Sequence, residues 1–382
     1  MSDGSPPRPA LDEEPVGQVA AERLTAPPVA ERDDDEFHPR LQLSARNVLM
    51  LGGFLAAAIA ALYFLLPQLA GLNDTWKRIE GGAPWWTVLA CALTFGMFGG
   101  YVTMFRGVFL RAGTVRIGWR ESYQITMAGL AASRIFAAGG AGGLVLTAWA
   151  LRQAGMARRV VADKTLSFLI LTYFPYAAAV LACGVGLRVG LFSGPAPLTL
   201  TLIPAAVAGV LMVLAGAVAL VPTDLQRRLE GFARRRGRFG RLAQRAANLP
   251  ASSSAGMRDA LAHLRSRDPA LLGAVLFWAF QIAVLWAAFH AFGEPPPLAV
   301  LVQAFFLGML GNLLPLPGGV GGVEGGMIGA FAAFDVDAGL AVVAVLVYRA
   351  FTFWLPMIPG VVAYLQLRRT VERWRAERVR GT

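Results

Sequence analysis

Long apolar stretches almost free of charged side chains restrict this chain more than any other feature. Six of them approach or exceed the roughly 20 residues that a helix needs to cross about 30 Å of hydrocarbon. They are residues 48–66, 85–105, 166–187, 198–221, 270–292 and 340–367. Only 15% of the residues are charged, whereas soluble domains carry about a quarter. The sequence therefore predicts an all-α integral membrane protein with about six full spans, the last of them kinked at Pro356 and Pro359.

Two further apolar regions each contain the pattern GGxGG, where x is any residue. The glycines are Gly139, Gly140, Gly142 and Gly143 in the first pattern and Gly318, Gly319, Gly321 and Gly322 in the second. The apolar arms that follow, 144–151 and 327–334, have eight residues each, and about 12 Å of helix cannot cross a bilayer. We therefore predict two re-entrant hairpins that fold back inside the membrane on a glycine turn. The glycines either serve close helix packing alone or also expose amides that bind an anionic headgroup.

Arginine is concentrated in a few loops, and its distribution predicts the topology. The loop 222–269 holds eleven arginines and the segment 369–382 is also basic, so both are expected in the cytoplasm. Each predicted span moves the chain to the other side of the membrane. When the remaining loops are assigned to sides in this way, starting from the cytoplasmic loop and tail, the two hairpins enter the membrane from opposite faces. The glycine patterns start 179 residues apart, so the halves 45–190 and 198–368 would each contain span, span, hairpin and span in opposite orientation. This predicts an inverted-topology repeat, as in many secondary transporters; chance spacing of common glycine-rich segments is the alternative.

By composition the chain divides into three parts. Residues 1–44 are acidic and Pro-rich and are expected to form a disordered cytoplasmic tail. Residues 45–368 form the membrane domain, with 222–269 as a cytoplasmic basic loop, and residues 369–382 form a basic cytoplasmic tail. Arginine-rich loops between apolar spans indicate anionic membrane lipids as partners and not nucleic acid. We expect the bacterial inner membrane as the location, with both termini in the cytoplasm.

No sequence pattern of a soluble catalytic module is present. The chain lacks the GxxxxGK[ST] phosphate loop, the HExxH zinc motif, the GxSxG nucleophile motif and a Cys/His ligand cluster. We therefore expect no enzyme activity, no metal and no cofactor.

Glu324 and Arg349 are ionisable residues inside apolar segments, where such residues are functional candidates by default. Glu324 begins the return arm of the second hairpin, so its carboxylate could simply cap that helix. Arg349 lies within the last predicted span and needs a partner, for which Glu324 is the obvious candidate. The two residues form either a structural ion pair or a pair that binds a headgroup or couples transport.

Four more residues are candidates for the site. Arg134 precedes the first glycine pattern within an apolar arm, so its guanidinium needs a carboxylate, a lipid phosphate or water. Asp163 and Lys164 open the following span and either mark the membrane surface or belong to the site. Asn312 precedes the second glycine pattern and either bonds across helices or binds the ligand.

The stretch NLLPLPGGVGGVE, followed by Arg349, Pro356 and Gly360, resembles the transmembrane region of the lysylphosphatidylglycerol synthase family, also called flippase-like or UPF0104 proteins. The resemblance covers roughly residues 45–368. The first glycine pattern and the charged pair after it match more weakly, because no proline precedes these glycines. In the synthases of this family a soluble domain transfers an amino acid to phosphatidylglycerol, and we expect that domain to be absent here. The resemblance then implies the movement of a lipid or a lipid-linked headgroup between leaflets.

Two functional hypotheses follow. The first is a flippase-like protein that binds an anionic phospholipid or polyprenyl-phosphate-linked lipid between the hairpins and translocates it, with Arg134, Arg349 and Glu324 lining or gating the groove. The second is a non-transporting scaffold or regulatory partner of a lipid-modifying or glycosyl-transferring enzyme, which docks through the basic loop and tail. A membrane-embedded transferase is disfavoured by the missing catalytic cluster.

Overall fold

A computed structural model describes residues 81–111, 117–135, 141–220, 251–266, 268–314 and 316–380. The predicted N-terminal tail, the first predicted span and most of the basic loop lie outside these residues. Within them every regular element is helical, in agreement with the predicted all-α class.

The α-helices are numbered here in chain order. The first six are α1 (Pro84–Phe109), α2 (Trp119–Ile135), α3 (Ala141–Gln153), α4 (Arg158–Arg188), α5 (Leu202–Leu220) and α6 (Ala251–Arg265). The others are α7 (Pro269–Phe292), α8 (Leu298–Met309), α9 (Gly322–Ala333), α10 (Ala338–Arg349) and α11 (Met357–Arg380). Short 3-10 helices, Leu310–Leu313 and Pro317–Gly319, lie between α8 and α9, and a π-helical turn, Ala350–Trp354, joins α10 to α11.

Four helical stretches of the described residues are long and apolar enough to cross a membrane. They are Pro84–Phe109, Arg158–Arg188, Pro269–Phe292 and Ala338–Arg380, the last being α10, the π turn and α11 together. Each contains one of the predicted spans. The predicted span 198–221 holds a shorter apolar helix, Leu202–Ala217, because residues 198–201 form a turn before α5. The predicted span 48–66 lies outside the described residues.

Start signals in the sequence set where several helices begin. Proline occupies the first turn of α1, at Pro84, and of α7, at Pro269, where its missing N–H leaves no helical bond unmade. The carboxylate of Asp268 accepts the N–H of Ala270 at 3.0 Å, and Asp337 caps α10 in the same way. Such caps satisfy donors that have no partner within the helix.

The expected kink in the last span lies where Pro356 and Pro359 predict it. The π turn and a short turn at residues 355 and 356 precede Met357, where α11 begins. Pro359 lies in the first turn of α11, where no helical N–H donor is needed. From there α11 continues to Arg380, so most of the predicted basic tail is a helical extension of the last span.

Each glycine pattern belongs to a helical hairpin, α2–α3 or α8–α9, whose arms touch at glycines. A Cβ atom added to Gly143 would lie 2.4 Å from the carbonyl oxygen of Gly129, and one added to Gly311 would lie 2.2 Å from that of Gly322. The return helices α3 and α9 have 13 and 12 residues, more than the eight predicted, because helix already begins within or at the end of each glycine pattern. At about 20 and 18 Å they are still shorter than a membrane crossing. Gly139 and Gly140 lie outside the described residues.

Helices of the two predicted halves pack against each other in several pairs, and α4 of the first half also packs on α5 and α6 of the second. Three of the pairs are α1 with α7, α2 with α11, and α4 with α8. Along each pair, contacts further along one helix meet residues that come earlier in the other. Between α1 and α7 the contacts are Gly100–Gly273 and Gly107–Ala270. They are Gln124–Thr370 and Ala131–Gly360 between α2 and α11, and Tyr176–Phe306 and Gly184–Gln303 between α4 and α8. All three pairs are therefore antiparallel. This packing brings the ends of the two hairpins together, since a Cβ on Gly318 would lie 3.0 Å from the carbonyl oxygen of Arg134.

Candidate functional site

A cavity of about 450 Å³ lies where the two hairpin ends meet. We call it the arginine cavity, because Arg134 and Arg349 both line it. Its other polar or aromatic lining residues are Tyr101, Ser133, Thr172, Tyr173, Tyr176, Phe277, Trp278, Gln281, Asn312, Tyr348, Thr352 and Phe353. No carboxylate appears among its described lining residues. The cavity thus combines two cations, hydroxyl and amide groups, and aromatic rings.

Arg349 and Glu324 form the buried ion pair expected from the sequence. Arg349 Nε donates to Glu324 Oε1 at 2.6 Å, and both side chains are only 7% exposed. The second carboxylate oxygen accepts the N–H of Gly321 at 2.8 Å, so Glu324 also caps the start of α9. Glu324 lies behind Arg349 and does not itself line the arginine cavity. Because both carboxylate oxygens are occupied, the charge of Arg349 is fixed in place and neutralised.

The second glycine pattern shapes the backbone beside this pair. Gly318 has a φ of +61°, a left-handed conformation that glycine adopts without a Cβ clash. Its carbonyl oxygen accepts Nη2 of Arg349 at 3.3 Å. A Cβ at this position would lie 2.5 Å from the ring of Phe353. Glycine is therefore needed here both for the turn and for the space beside the arginine.

Arg134 is held by backbone carbonyls of the other half. Its Nη2 donates to the carbonyl of Thr352 at 2.6 Å and its Nη1 to that of Phe353 at 3.2 Å. In a regular helix the carbonyl of Thr352 would accept the N–H four residues later, but that residue is Pro356, which has none. Arg134 thus bonds to the carbonyl that the proline leaves without a helical donor. The sequence indicated a carboxylate, phosphate or water as its partner, and these carbonyls were not foreseen.

The positive charge of Arg134 is not neutralised by a carboxylate among the described residues. Its guanidinium also lies over the ring of Phe353 at 5.3 Å, on which Arg349 stacks at 4.2 Å. With Arg349 paired to Glu324, the three ionisable side chains together carry one excess positive charge. Arg134 is only partly buried, but even a partly buried cation in apolar surroundings is costly without an anion, so the cavity favours an anionic ligand.

Gln281 supplies a hydrogen-bond donor that the described residues leave without an acceptor. The residue is buried on α7, and its Oε1 accepts the hydroxyl of Tyr348 at 2.9 Å. Its Nε2 has no partner in the part of the chain that the structure describes. Buried amides normally bond through both ends, so this N–H group is available to a ligand or a water molecule in the cavity.

The remaining predicted residues differ in position. Asn312 lines the arginine cavity and is exposed, but its amide donates to the carbonyl of Met309 at 3.1 Å. This hydrogen bond lies within its own chain segment. A bond across helices, which was one of the two alternatives given by the sequence, is not among the hydrogen bonds of the described residues. Asp163 and Lys164 do not line the cavity. They lie near the start of α4, two turns or more before the lining residue Thr172.

Lys164 belongs instead to a network of charged side chains around α6, which we call the charge network. Its Nζ donates to both carboxylate oxygens of Asp259, at 2.9 and 3.0 Å. His263, one turn further along α6, lies 3.6 Å from the carboxylate of Asp259 and 3.2 Å from that of Asp268. Arg111, just after α1, pairs with Asp268. The charge network therefore ties α6 to the ends of α1, α4 and α7.

The carboxyl group of Asp259 titrates well below the ordinary range of an aspartic acid. Burial acts to raise its pKa, but the nearby His263, the two hydrogen bonds from Lys164 and the nearby hydroxyl of Ser167 outweigh burial and lower the pKa strongly. Asp259 is therefore charged at every physiological pH. Asp163, which precedes Lys164 in the sequence, keeps one carboxylate oxygen buried without a hydrogen-bond partner among the described residues.

Sequence reasoning missed several residues of the cavity, although two left a signal. Gln281 is the single amide side chain within α7, and an isolated polar group in an apolar span is a candidate for an internal contact. Pro356 predicts a free carbonyl four residues earlier, at Thr352, which is where Arg134 binds. The tyrosines and Trp278 could not be distinguished from ordinary core aromatics by sequence.

Comparisons with known proteins agree with this architecture. The model of the family described as the lysylphosphatidylglycerol synthase TM region matches residues 50–360. Three UPF0104 membrane proteins of Methanothermobacter thermautotrophicus are similar to shorter stretches. Their identities are 35% over 89 residues, 34% over 87 and 34% over 89, which is 23%, 22% and 23% of this chain. Each match spans about a quarter of the relative's own length, namely 26%, 25% and 27%.

Proposed function

Because this chain belongs to the lysylphosphatidylglycerol synthase TM region family of membrane proteins, we propose that it binds an anionic lipid by its headgroup in the arginine cavity and moves it between the two leaflets. The lipid is a phospholipid or a polyprenyl-phosphate-linked lipid. The observation that carries the proposal is the cation of Arg134, which no described carboxylate neutralises, beside the unbonded amide of Gln281. A phosphate supplies both the charge and the acceptor oxygens that these groups lack.

The two arginines have different roles in this proposal. Arg349 is already paired with Glu324, so it shapes the cavity and adds a donor surface without much net charge. Arg134 bonds to neutral carbonyls only, and a phosphate oxygen is a stronger acceptor than a carbonyl for a guanidinium. A headgroup that enters the cavity therefore competes for Arg134 and gains the most from it.

Movement between leaflets is supported by the antiparallel packing of the two halves. In the predicted repeat α1 corresponds to α7, α2 to α8, and α4 to α11. Replacing each helix of the pair α2–α11 by its counterpart gives the pair α8–α4, which is also observed. Helix α1 packs directly on its own counterpart, α7. Such exchange is what a two-fold axis in the membrane plane produces. We therefore propose an inverted repeat with two re-entrant hairpins, whose shared site lies near the membrane midplane, where alternating access requires it.

The charge network gives one end of the helix bundle a polar, ionic character. By the positive-inside tendency, we propose that this end and both termini face the cytoplasm of a bacterial inner membrane. We also propose that no catalytic step takes place on this chain, so that a lipid-modifying enzyme would act as a separate partner.

The proposal is tested by measuring lipid movement in proteoliposomes. Fluorescent phosphatidylglycerol, or polyprenyl phosphate in a parallel series, is placed in the membrane, and an impermeant reductant reports the label that reaches the outer leaflet. Arg134→Gln retains hydrogen-bonding groups but removes the charge, and we expect it to lower the rate at least about tenfold, which corresponds to about 1.4 kcal/mol.

Arg106→Gln is the matched control. Arg106 also bonds to a backbone carbonyl, that of Ile117, and stacks on the ring of Trp119 at 4.2 Å, but it does not line the arginine cavity. We expect this variant to keep the wild-type rate. Equal losses in both variants would contradict the proposal, and lipid binding without movement by the wild type would favour the non-transporting scaffold.

A further inference from the structure

A second, apolar cavity of about 610 Å³ lies between α4, α5 and α6. We call it the apolar groove. Aliphatic and aromatic side chains line almost all of it, including Phe174, Val207, Leu211, Met212 and Leu261. No charged side chain is among its described lining residues. It is therefore suited to hydrocarbon and not to a headgroup.

The apolar groove is adjacent to the arginine cavity. Tyr173, Tyr176 and Leu310 line both of them. The hydroxyl of Tyr176 donates to the carbonyl of Phe306, so this ring has a fixed orientation at the junction. A molecule with its anionic end beside Arg134 therefore has apolar surroundings on the other side of these three residues.

The length of the groove matches a lipid chain. Its lining along α5 extends from Ile203 to Gly216, and thirteen steps of about 1.5 Å give about 20 Å. The hydrocarbon of one leaflet is about 15 Å thick, half of the bilayer core. The groove is thus long enough for a whole extended chain of one leaflet.

Helix α6 closes one side of the groove. Met257, Leu261 and Leu264 of α6 line it, and their spacing of four and three residues places them on one face of the helix. Asp259 and His263 on the same helix belong to the charge network. The network therefore holds α6 in place while its apolar face completes the groove.

We propose that the apolar groove holds one hydrocarbon chain of the same lipid whose headgroup occupies the arginine cavity. This inference rests on the proposed function and narrows its substrate to a lipid that carries an anionic phosphate headgroup and at least one long hydrocarbon chain. The protein then recognises both ends of the molecule at once, and a water-soluble phosphate ester of the same headgroup uses only half of the site.

The test fills the groove from α5 and measures binding of two probes to the full chain in detergent. The probes are dioleoyl phosphatidylglycerol, with long chains, and dihexanoyl phosphatidylglycerol, with short ones. Val207→Trp places a large ring in the groove, and Leu211→Trp does so one turn further along. Both residues are more than half exposed in the structure, so the larger side chain does not disturb the core. We expect each variant to weaken binding of the long-chain probe at least about tenfold and that of the short-chain probe less than about twofold.

Val213→Trp is the matched control on the same helix. Val213 is 71% exposed and lies on a different apolar surface, beside Leu181 and Val185. This variant is expected to bind both probes as the wild type does. Arg134→Gln is expected to weaken binding of both probes.

The outcomes separate the two proposals. If the wild type binds the long-chain probe and the groove variants equal Val213→Trp, the chain site is wrong while the headgroup site stands. If groove variants weaken both probes equally, the groove does not act on the chain and the inference is again overturned. If the wild type binds neither probe, the proposed function and this inference fall together.

Discussion

Removal of Glu324 is the perturbation whose magnitude the structure defines best. Glu324→Ala deletes two interactions, the 2.6 Å bond from Arg349 and the 2.8 Å bond from the N–H of Gly321. Breaking a buried ion pair by deleting one partner costs about 3–5 kcal/mol, because the other charge stays buried and unpaired. Loss of the helix cap adds about 1 kcal/mol. We therefore expect Glu324→Ala to lower the free energy of unfolding by about 4–6 kcal/mol.

The partner variant is expected to cost less. In Arg349→Ala the carboxylate of Glu324 keeps the N–H of Gly321 as a donor, so the cap survives and the loss is about 3–5 kcal/mol. Glu324→Gln also retains an acceptor for the cap and should lie between Glu324→Ala and the wild type. The order of the three variants is thus predicted as well as their size.

The assay is a double-mutant cycle of unfolding in mixed micelles, with helix content as the signal. In the double variant no unpaired charge stays buried, so its loss should be smaller than that of Glu324→Ala alone. The coupling energy is then at least about 3 kcal/mol, at or above the upper end of the range of about 0.5–3 kcal/mol for contacting residues. Additive losses in the double variant would refute the buried pair. A smaller loss for Glu324→Ala than for Arg349→Ala would refute the capping role.

Three further results are expected. Gly318→Ala should destabilise the protein by about 1–3 kcal/mol in thermal unfolding, because the φ of Gly318 is +61°. The control is Gly325→Ala, in a helix with open space around it, which should be neutral or stabilising by up to about 1 kcal/mol. Asp259 has a lowered pKa in the folded state. The stability that it contributes is therefore present above its unfolded pKa of about 3.9 and is lost as the pH falls below that value. Asp259→Asn should remove this part of the acid dependence of the unfolding free energy, measured from pH 6 to pH 3, roughly the window in which a carboxylate titrates. Gln281→Leu should weaken binding of phosphatidylglycerol at least about tenfold, because a lost hydrogen bond to a charged group is worth about 1.5–3 kcal/mol. Its control is Gln303→Leu, since the amide of Gln303 donates to the carbonyl of Leu200 and does not line the arginine cavity. Equal binding by Gln281→Leu and the wild type would exclude the amide from the site.

Much of the architecture follows from hydrophobicity and charge, because a bilayer limits the chain to few solutions. The apolar stretches 85–105, 166–187 and 270–292 lie in the helices Pro84–Phe109, Arg158–Arg188 and Pro269–Phe292, which extend up to eight residues beyond the predicted bounds. The pairing of Glu324 with Arg349 was also predictable, since a buried charge in an apolar segment requires a partner. In both cases, the crossing of the bilayer and the pairing of a buried charge, the sequence offers one segment or one residue that meets the physical requirement.

The site was harder to predict where several partners could meet the same requirement. Arg134 needed acceptors, and backbone carbonyls supply them. Pro356 indicates that the carbonyl of Thr352 is free, but the sequence does not show that this carbonyl, 218 residues further along the chain, lies beside Arg134. Lys164 was grouped with the site although its partner is Asp259, 95 residues further along the chain, a contact that only the packing of α6 on α4 creates. The predicted return arms begin after the glycine patterns and are too short, because helix already includes glycines of the patterns: Gly142 and Gly322 lie in the first turns of α3 and α9.

The bonds from Arg134 to the π turn join the two halves of the membrane domain. An anion that takes up this guanidinium must displace the carbonyls of Thr352 and Phe353, so ligand binding and cohesion between the halves are linked equilibria. The two effects are equal in free energy. If ligand binding weakens this contact by a certain free energy, then opening the contact beforehand strengthens ligand binding by the same free energy. The substrate would then help to release the very arrangement that holds its site closed.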